Sequence, residues 1–118
     1  MSALADVAGE DYCYVTTAGR VTGKPHTIEI WFGLAAGRLY ILSGGRDRSD
    51  WVKNGHRQPE VSVRLADEAY AGRMRIVTEA EEDALARRLL LEKYTPDSSG
   101  DLSGWGRRAL PIAIELAA

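Results

Sequence analysis

The 118 residues, 45% hydrophobic and 27% charged, suit one domain spanning 1–118 with a single core, and they exclude a disordered chain. A net charge of −2 argues against a nucleic-acid surface, and no apolar run approaches the ~20 residues of a membrane span. The lone cysteine rules out an internal disulfide or a multi-cysteine metal site, and residues 1–6 carry no basic n-region or signal core, so a cytoplasmic protein is expected.

Residues 11–17 alternate aromatic and small side chains and predict a strand, with Cys13 as a buried, inert thiol. A polar turn over 18–25 leads to a second strand, 26–33. There Ile28, Ile30 and Phe32 share one face and Thr27, Glu29 and Trp31 the other. The turn Ala35-Ala36-Gly37 precedes a third strand over 38–43. After Ser43-Gly44-Gly45, Asp47 is placed to cap a short helix that carries Trp51 and Val52 and is closed by Gly55. Pro59 opens a fourth strand with Val61, Val63 and Leu65 inward. A turn at Asp67-Glu68 then leads to a fifth, 70–77.

Thr78 and Glu81 read as a capping box for a helix over 79–94. Leu91 and Tyr94 lie on one flank of that helix and Leu85 and Leu89 nearly opposite. It is therefore expected to touch two surfaces, the sheet and either a partner subunit or a ligand. Residues 95–106 are a loop of turn formers with Trp105 as their aromatic, and 111–116 form a last strand. The fold class is mainly β (α+β): about six antiparallel strands closing toward a barrel, one longer helix, and a short helix after the Gly-Gly loop.

Charge is uneven. Residues 18–58 hold seven bases (Arg20, Lys24, Arg38, Arg46, Arg48, Lys53, Arg57) against three acids (Glu29, Asp47, Asp50), a net +4 that leaves −6 elsewhere. A basic middle in an acidic chain points to a local anion site. The segment from Ser43 to Trp51 combines glycines, arginines and a helix start. It reads either as a solvated turn with a capped helix or as a cradle for phosphate or carboxylate. It lacks both the dinucleotide fingerprint and the P-loop pattern. His26 is an ordinary strand-end residue or an anion contact. Glu29 points to solvent or lines a cleft, and Trp31 and Trp51 are core aromatics or ligand contacts. Two histidines without a carboxylate motif make no metal site, and no nucleophile has a persuasive base beside it. That silence favours a cofactor that carries the chemistry.

Two blocks add a resemblance. Thr16-Thr17-Ala18-Gly19-Arg20-Val21-Thr22-Gly23-Lys24-Pro25-His26 resembles the opening T-T-x-G-R-x-[ST]-G-x-x-[RH] of the deazaflavin-dependent nitroreductase family. Ser43-Gly44-Gly45, Trp51-Val52-Lys53-Asn54 and Pro59-Glu60-Val61-Ser62-Val63 are similar to its later S-x-G-G, W-x-x-N and P-x-V-x-V block. The resemblance covers roughly residues 12–78. It implies a split β-barrel, commonly a homodimer, that binds coenzyme F420 (8-hydroxy-5-deazaflavin) and passes hydride to a small acceptor: a quinone, a nitro compound or an activated alkene. It also implies that Lys24 and His26 meet the phosphate or polar tail, and that the backbone of Thr27, Ile28 and Glu29 runs along the ring. Ser43, Gly44, Gly45 and Arg46 would form the tail loop, with Arg48, Ser49 and Trp51 at the helix start. Glu29 and Trp31 are the cleft candidates, with no certain catalytic side chain. Ile28-Glu29 stands where nitroreductase-type members have a polar-Pro pair, and a Ser/Gly-rich stretch with Trp105 replaces a tyrosine-rich tail, so the acceptor is left open. An FMN-binding reductase of the same barrel and a non-catalytic deazaflavin carrier are the alternatives.

Overall fold

The computed structural model describes residues 7–117; the N-terminal segment read for a leader lies outside them. They form strands β1 (Cys13–Ala18), β2 (Pro25–Ile30), β3 (Gly33–Ala35), β4 (Arg38–Ser43), β5 (Glu60–Leu65), β6 (Glu68–Ile76) and β7 (Leu110–Leu116). The helices are α1 (Asp50–Arg57), α2 (Ala80–Tyr94) and α3 (Ser103–Arg108). All strand pairs are antiparallel, in the order β2-β1-β5-β6-β7-β4-β3. The two edge strands, β2 and β3, are separated only by Trp31 and Phe32. A sheet whose opposite edges are joined by two residues has to curl on itself, which gives a barrel split along one seam.

The alternation in the sequence builds the inside of this barrel. Val15, Leu39, Ile41, Val63, Leu65, Ile112 and Ile114 are fully buried there, capped by Trp51 and Val52 of α1, and Val61, Val63 and Leu65 face inward as expected. Cys13 is buried, and burial pushes its thiol up to about 12, so it stays protonated and inert. A second cluster covers the outside of β4 and β7, where α2 lays Ala86, Leu90 and Tyr94 over Tyr40, Leu42 and Ala113.

Several expectations are corrected. The strand expected over 26–33 breaks at Trp31-Phe32, because the Tyr94 hydroxyl accepts the Phe32 N–H at 2.9 Å and turns the chain away from β1. Seven strands result rather than six. Asp47 caps nothing: it sits in a 3-10 turn, Arg46–Arg48, and Ser49 precedes α1 without a side-chain cap bond. Gly55 does not close that helix but lies inside it, where a Cβ would come 1.7 Å from Met74 Cε; a glycine is needed for close packing on β6. The β5–β6 turn is Ala66-Asp67, one residue earlier than expected, with Leu65 paired to Glu68. At α2 the capping box is absent, since Glu79 is the N-cap with no side-chain bond. On one flank of α2, Leu91 packs on Gly106 of α3, a helix in the stretch read as loop.

Candidate active site

The two motif blocks meet through one buried amide. Asn54, on α1, donates from Nδ2 to Thr17 Oγ1 (3.3 Å) and accepts at Oδ1 from Arg20 N (3.1 Å) and Arg20 Nη1 (2.9 Å). Arg20 Nη2 also reaches Asp50 Oδ1 at 3.1 Å. A buried amide must find such partners, and here they lock the 19–24 loop onto the start of α1. Arg20 is therefore a structural cation. Arg38 also drops out of the basic patch, paired with Glu115 at 2.9 Å on the far side of the sheet order.

Between that loop and α1 lies a cavity of about 570 Å³ lined by Lys24, His26, Thr27, Ile28 and Trp51, among others. The lining also holds the Arg20–Asp50 pair, and since the Lys24 ammonium has no carboxylate partner among the described residues, the cavity is net cationic. Trp51 is 8% exposed and belongs mainly to the barrel core, with one side toward the cavity. A second, mostly apolar cavity of about 450 Å³ follows along β2, lined by Tyr12, Glu29, Ile30, Trp31, Leu42, Gly44, Leu102 and Trp105. Trp31 stacks on Tyr94 (ring centroids 4.3 Å, interplanar angle 5°) and meets Trp105 edge-on at 5.6 Å.

β2 itself connects the two cavities. Gly19 N donates to Lys24 O at 2.8 Å, which sets the phase of the β1–β2 ladder. Antiparallel alternation then points the N–H and C=O of Ile28 and Ile30 at β1 and those of Thr27 and Glu29 out from the edge. The Glu29 side chain is exposed and accepts the Tyr14 hydroxyl at 2.6 Å, a bond that raises the pKa of Tyr14.

The Ser43–Trp51 segment is more built than a solvated turn. Ser43 is buried beneath it, with its Oγ donating to Arg46 O (2.9 Å) and lying 3.3 Å from Ser49 Oγ. Gly45 has an ordinary φ of −80°; the strained backbone is at Arg46, with φ +54°. What Gly45 supplies is room, since a Cβ there would stand 2.3 Å from Ser49 Oγ. The Arg46 guanidinium donates to the Arg108 carbonyl, tying the loop to α3. Arg48 is exposed, without a partner among the described residues. Gly44 lines the apolar cavity, and Ser43, Gly45, Arg46, Arg48 and Ser49 line neither cavity. Among the described residues no cluster of His, Cys, Asp and Glu could hold a metal ion.

The model of the F420H2-dependent quinone reductase family matches residues 4–117. The chain belongs to that family. None of the curated proteins matches it. Among solved structures it is similar to an F420H2-dependent reductase, FDR-A (22% identity, 92% of this chain and 95% of that one, TM-score 0.69). It is also similar to an FAD-binding protein of Mesorhizobium loti (18%, 100% and 91%, TM-score 0.67) and to a structure described as a domain-swapped dimer (23%, 92% and 81%, TM-score 0.70). These likenesses establish the split-barrel fold.

Family membership makes this an F420H2-dependent oxidoreductase and makes coenzyme F420 the group to test against the cleft. The residues fit it. A flat ring with polar edges would find the outward backbone of Thr27 and Glu29, and an anionic phosphate or tail would find Lys24 and His26. Three features escaped the sequence reading: the Asn54 tie, helix α3, and the grip of Tyr94 on Phe32. Asn54 left a trace, a polar residue three positions after Trp51 on the helix face that carries Trp51 into the core. The other two left none.

Proposed function

We propose that this protein passes a hydride from F420H2 to an electron-poor small acceptor, with a quinone as the first class to test and nitro compounds and activated alkenes after it. The observation that carries this reading is the free edge of β2, running from a cationic cavity into an aromatic one. Lys24 and His26 bind the anionic part of the coenzyme, with Arg46, Arg48 and the backbone of Ser43, Gly44, Gly45 and Ser49 flanking its tail. Thr27 and Glu29 align the ring by their outward backbone groups, Ile28 lines the cavity beside it, and Trp51 closes the floor. Trp31, Leu42 and Trp105 exclude water from the neighbouring space, where a planar acceptor is held against the ring. The bound coenzyme supplies the hydride, and the chain supplies orientation.

Fluorescence titration tests this directly. Oxidised F420 is expected to bind, and FMN to bind at least about tenfold more weakly. Tighter FMN binding would transfer the reading to a flavin reductase of the same barrel. Tight F420 binding with no turnover of any quinone, enone or nitro compound would leave a carrier.

A cytoplasmic homodimer is part of the reading, supported by the similarity to a domain-swapped dimer. No helix of the described residues is long and apolar enough to cross a membrane. Light scattering at twice 12.9 kDa is the expected result, and a monomer at micromolar concentration overturns it.

A further inference from the structure

The corner between β2 and β3 is held by the last turn of α2, more than sixty positions away in the sequence. Tyr94 Oη accepts the Phe32 N–H at 2.9 Å and lies 2.8 Å from Asp11 O and 3.1 Å from Phe32 O. A hydroxyl has one proton to give, and the shorter contact directs it to Asp11. The Phe32 carbonyl then takes its hydrogen bond from Lys93 Nζ at 3.1 Å. That ammonium sits 3.6 Å from the centroid of the Phe32 ring and 5.2 Å from that of Tyr94, a cation–π cage on top of the hydrogen bond. Burial lowers the Lys93 pKa, while the fields of Cys13, Asp11 and Glu10 oppose that shift. Burial pushes Tyr94 up to about 12, so its hydroxyl keeps the proton it gives.

The next residue back from Phe32 is Trp31, and the Tyr94 ring stacks on it face to face. One tyrosine therefore grips the corner twice, by its hydroxyl on the backbone and by its ring on the indole. Trp31 is a wall of the apolar cavity, and Trp105 leans edge-on against it. Neither Lys93 nor Tyr94 lines that cavity.

We infer that Lys93 and Tyr94 are positioning residues for acceptor binding: they clamp both polar groups of Phe32 and so fix the pose of Trp31. The inference rests on the aromatic cavity being the acceptor's place. A barrel that merely needed closing could do so through Tyr94 alone. The added ammonium, half-buried over an aromatic ring and donating to the Phe32 carbonyl, over-determines the corner.

Three variants test it. Tyr94→Phe keeps the stacked ring and removes the hydroxyl, Lys93→Met keeps the stem and removes the donor, and Lys93→Arg restores a donor. With saturating F420H2 and a soluble naphthoquinone, Tyr94→Phe and Lys93→Met are expected to raise the quinone KM about five- to tenfold and to change kcat and the F420 dissociation constant less than about twofold. Lys93→Arg should recover most of the KM. Near-ultraviolet circular dichroism should lose the band of the stacked indole in Tyr94→Phe and Lys93→Met, a change that lowered stability alone does not produce. Lower melting temperatures with unchanged KM and unchanged near-ultraviolet spectrum would overturn the inference. The spectrum needs no turnover. If the wild type fails to bind F420, the proposed function falls, and the spectrum still decides whether the clamp sets Trp31.

Discussion

Replacing Lys24 by glutamate is expected to raise the F420 dissociation constant about 10- to 100-fold, or about 1.4–2.8 kcal/mol, while moving the melting temperature by no more than about 2 °C. The ammonium lines the cavity with no carboxylate partner among the described residues, so the folded state loses little by the exchange. Two unit charges about 4 Å apart in a partly solvated site interact by a few kcal/mol, and reversal converts that attraction into repulsion. Lys24→Met should fall between the two. Added salt should narrow the gap between wild type and variant, because the mouth is open to solvent. Arg48→Glu, on the flank and exposed, is expected to weaken binding less and to show a steeper salt dependence. Equal affinity for wild type and Lys24→Glu in a fluorescence titration would remove Lys24 from the anion site.

Glu82 is expected to govern stability in acid. Its side chain is 12% exposed and receives Arg75 Nη1 and Nη2 at 2.6 Å each, with the Tyr40 hydroxyl at 2.7 Å. The Arg75 guanidinium holds the carboxyl down at about 2, from an ordinary 4.5. A carboxyl whose folded value is depressed stabilises the fold above its unfolded value and stops doing so as pH falls through the folded one. The loss should therefore run from about pH 5 to pH 2 and amount to about 2–3 kcal/mol. Glu82→Gln should lose a similar amount at pH 7 and show a flatter profile in that window. Urea unfolding at pH 7, 4 and 3 measures both. A variant with the wild-type slope would show that the acid sensitivity lies elsewhere, with Glu115 as the next carboxylate on Arg75.

Much of the barrel could be read in the chain because its inward positions alternate without interruption: Val61, Val63 and Leu65 on one strand, Leu39 and Ile41 on another. The Thr-Thr-Ala-Gly-Arg and Trp-Val-Lys-Asn blocks were legible as a pair, and the structure supplies the physical reason in the bonds that Thr17, Arg20 and Asn54 share. The β2–β3 corner was not legible. His26 through Gly33 alternates as a single strand would, and the group that breaks it, Tyr94, is set by tertiary packing alone. Helix α3 was equally hidden. Two of its six residues are glycines, which disfavour helix, and Gly106 is there because Leu91 leaves no room for a side chain. At the site, the basic patch was overcounted. Sequence shows a charge but not its partner, and Arg20 and Arg38 are both neutralised within the fold.

The position of β7 has a consequence for synthesis. It pairs with β6 on one side and β4 on the other, so residues 110–116 fill the middle of a sheet whose other strands are complete by residue 76. Until residue 116 has cleared the ribosomal exit tunnel, β4 and β6 both present open, hydrogen-bonding edges next to Ile41 and Met74, side chains destined for the core. Folding of the barrel therefore waits for β7, the last of the described strands to be made, and is slow on account of pairings as distant as Arg38 with Glu115. The nascent chain is most exposed to aggregation in that interval, when a holdase would have the most to protect.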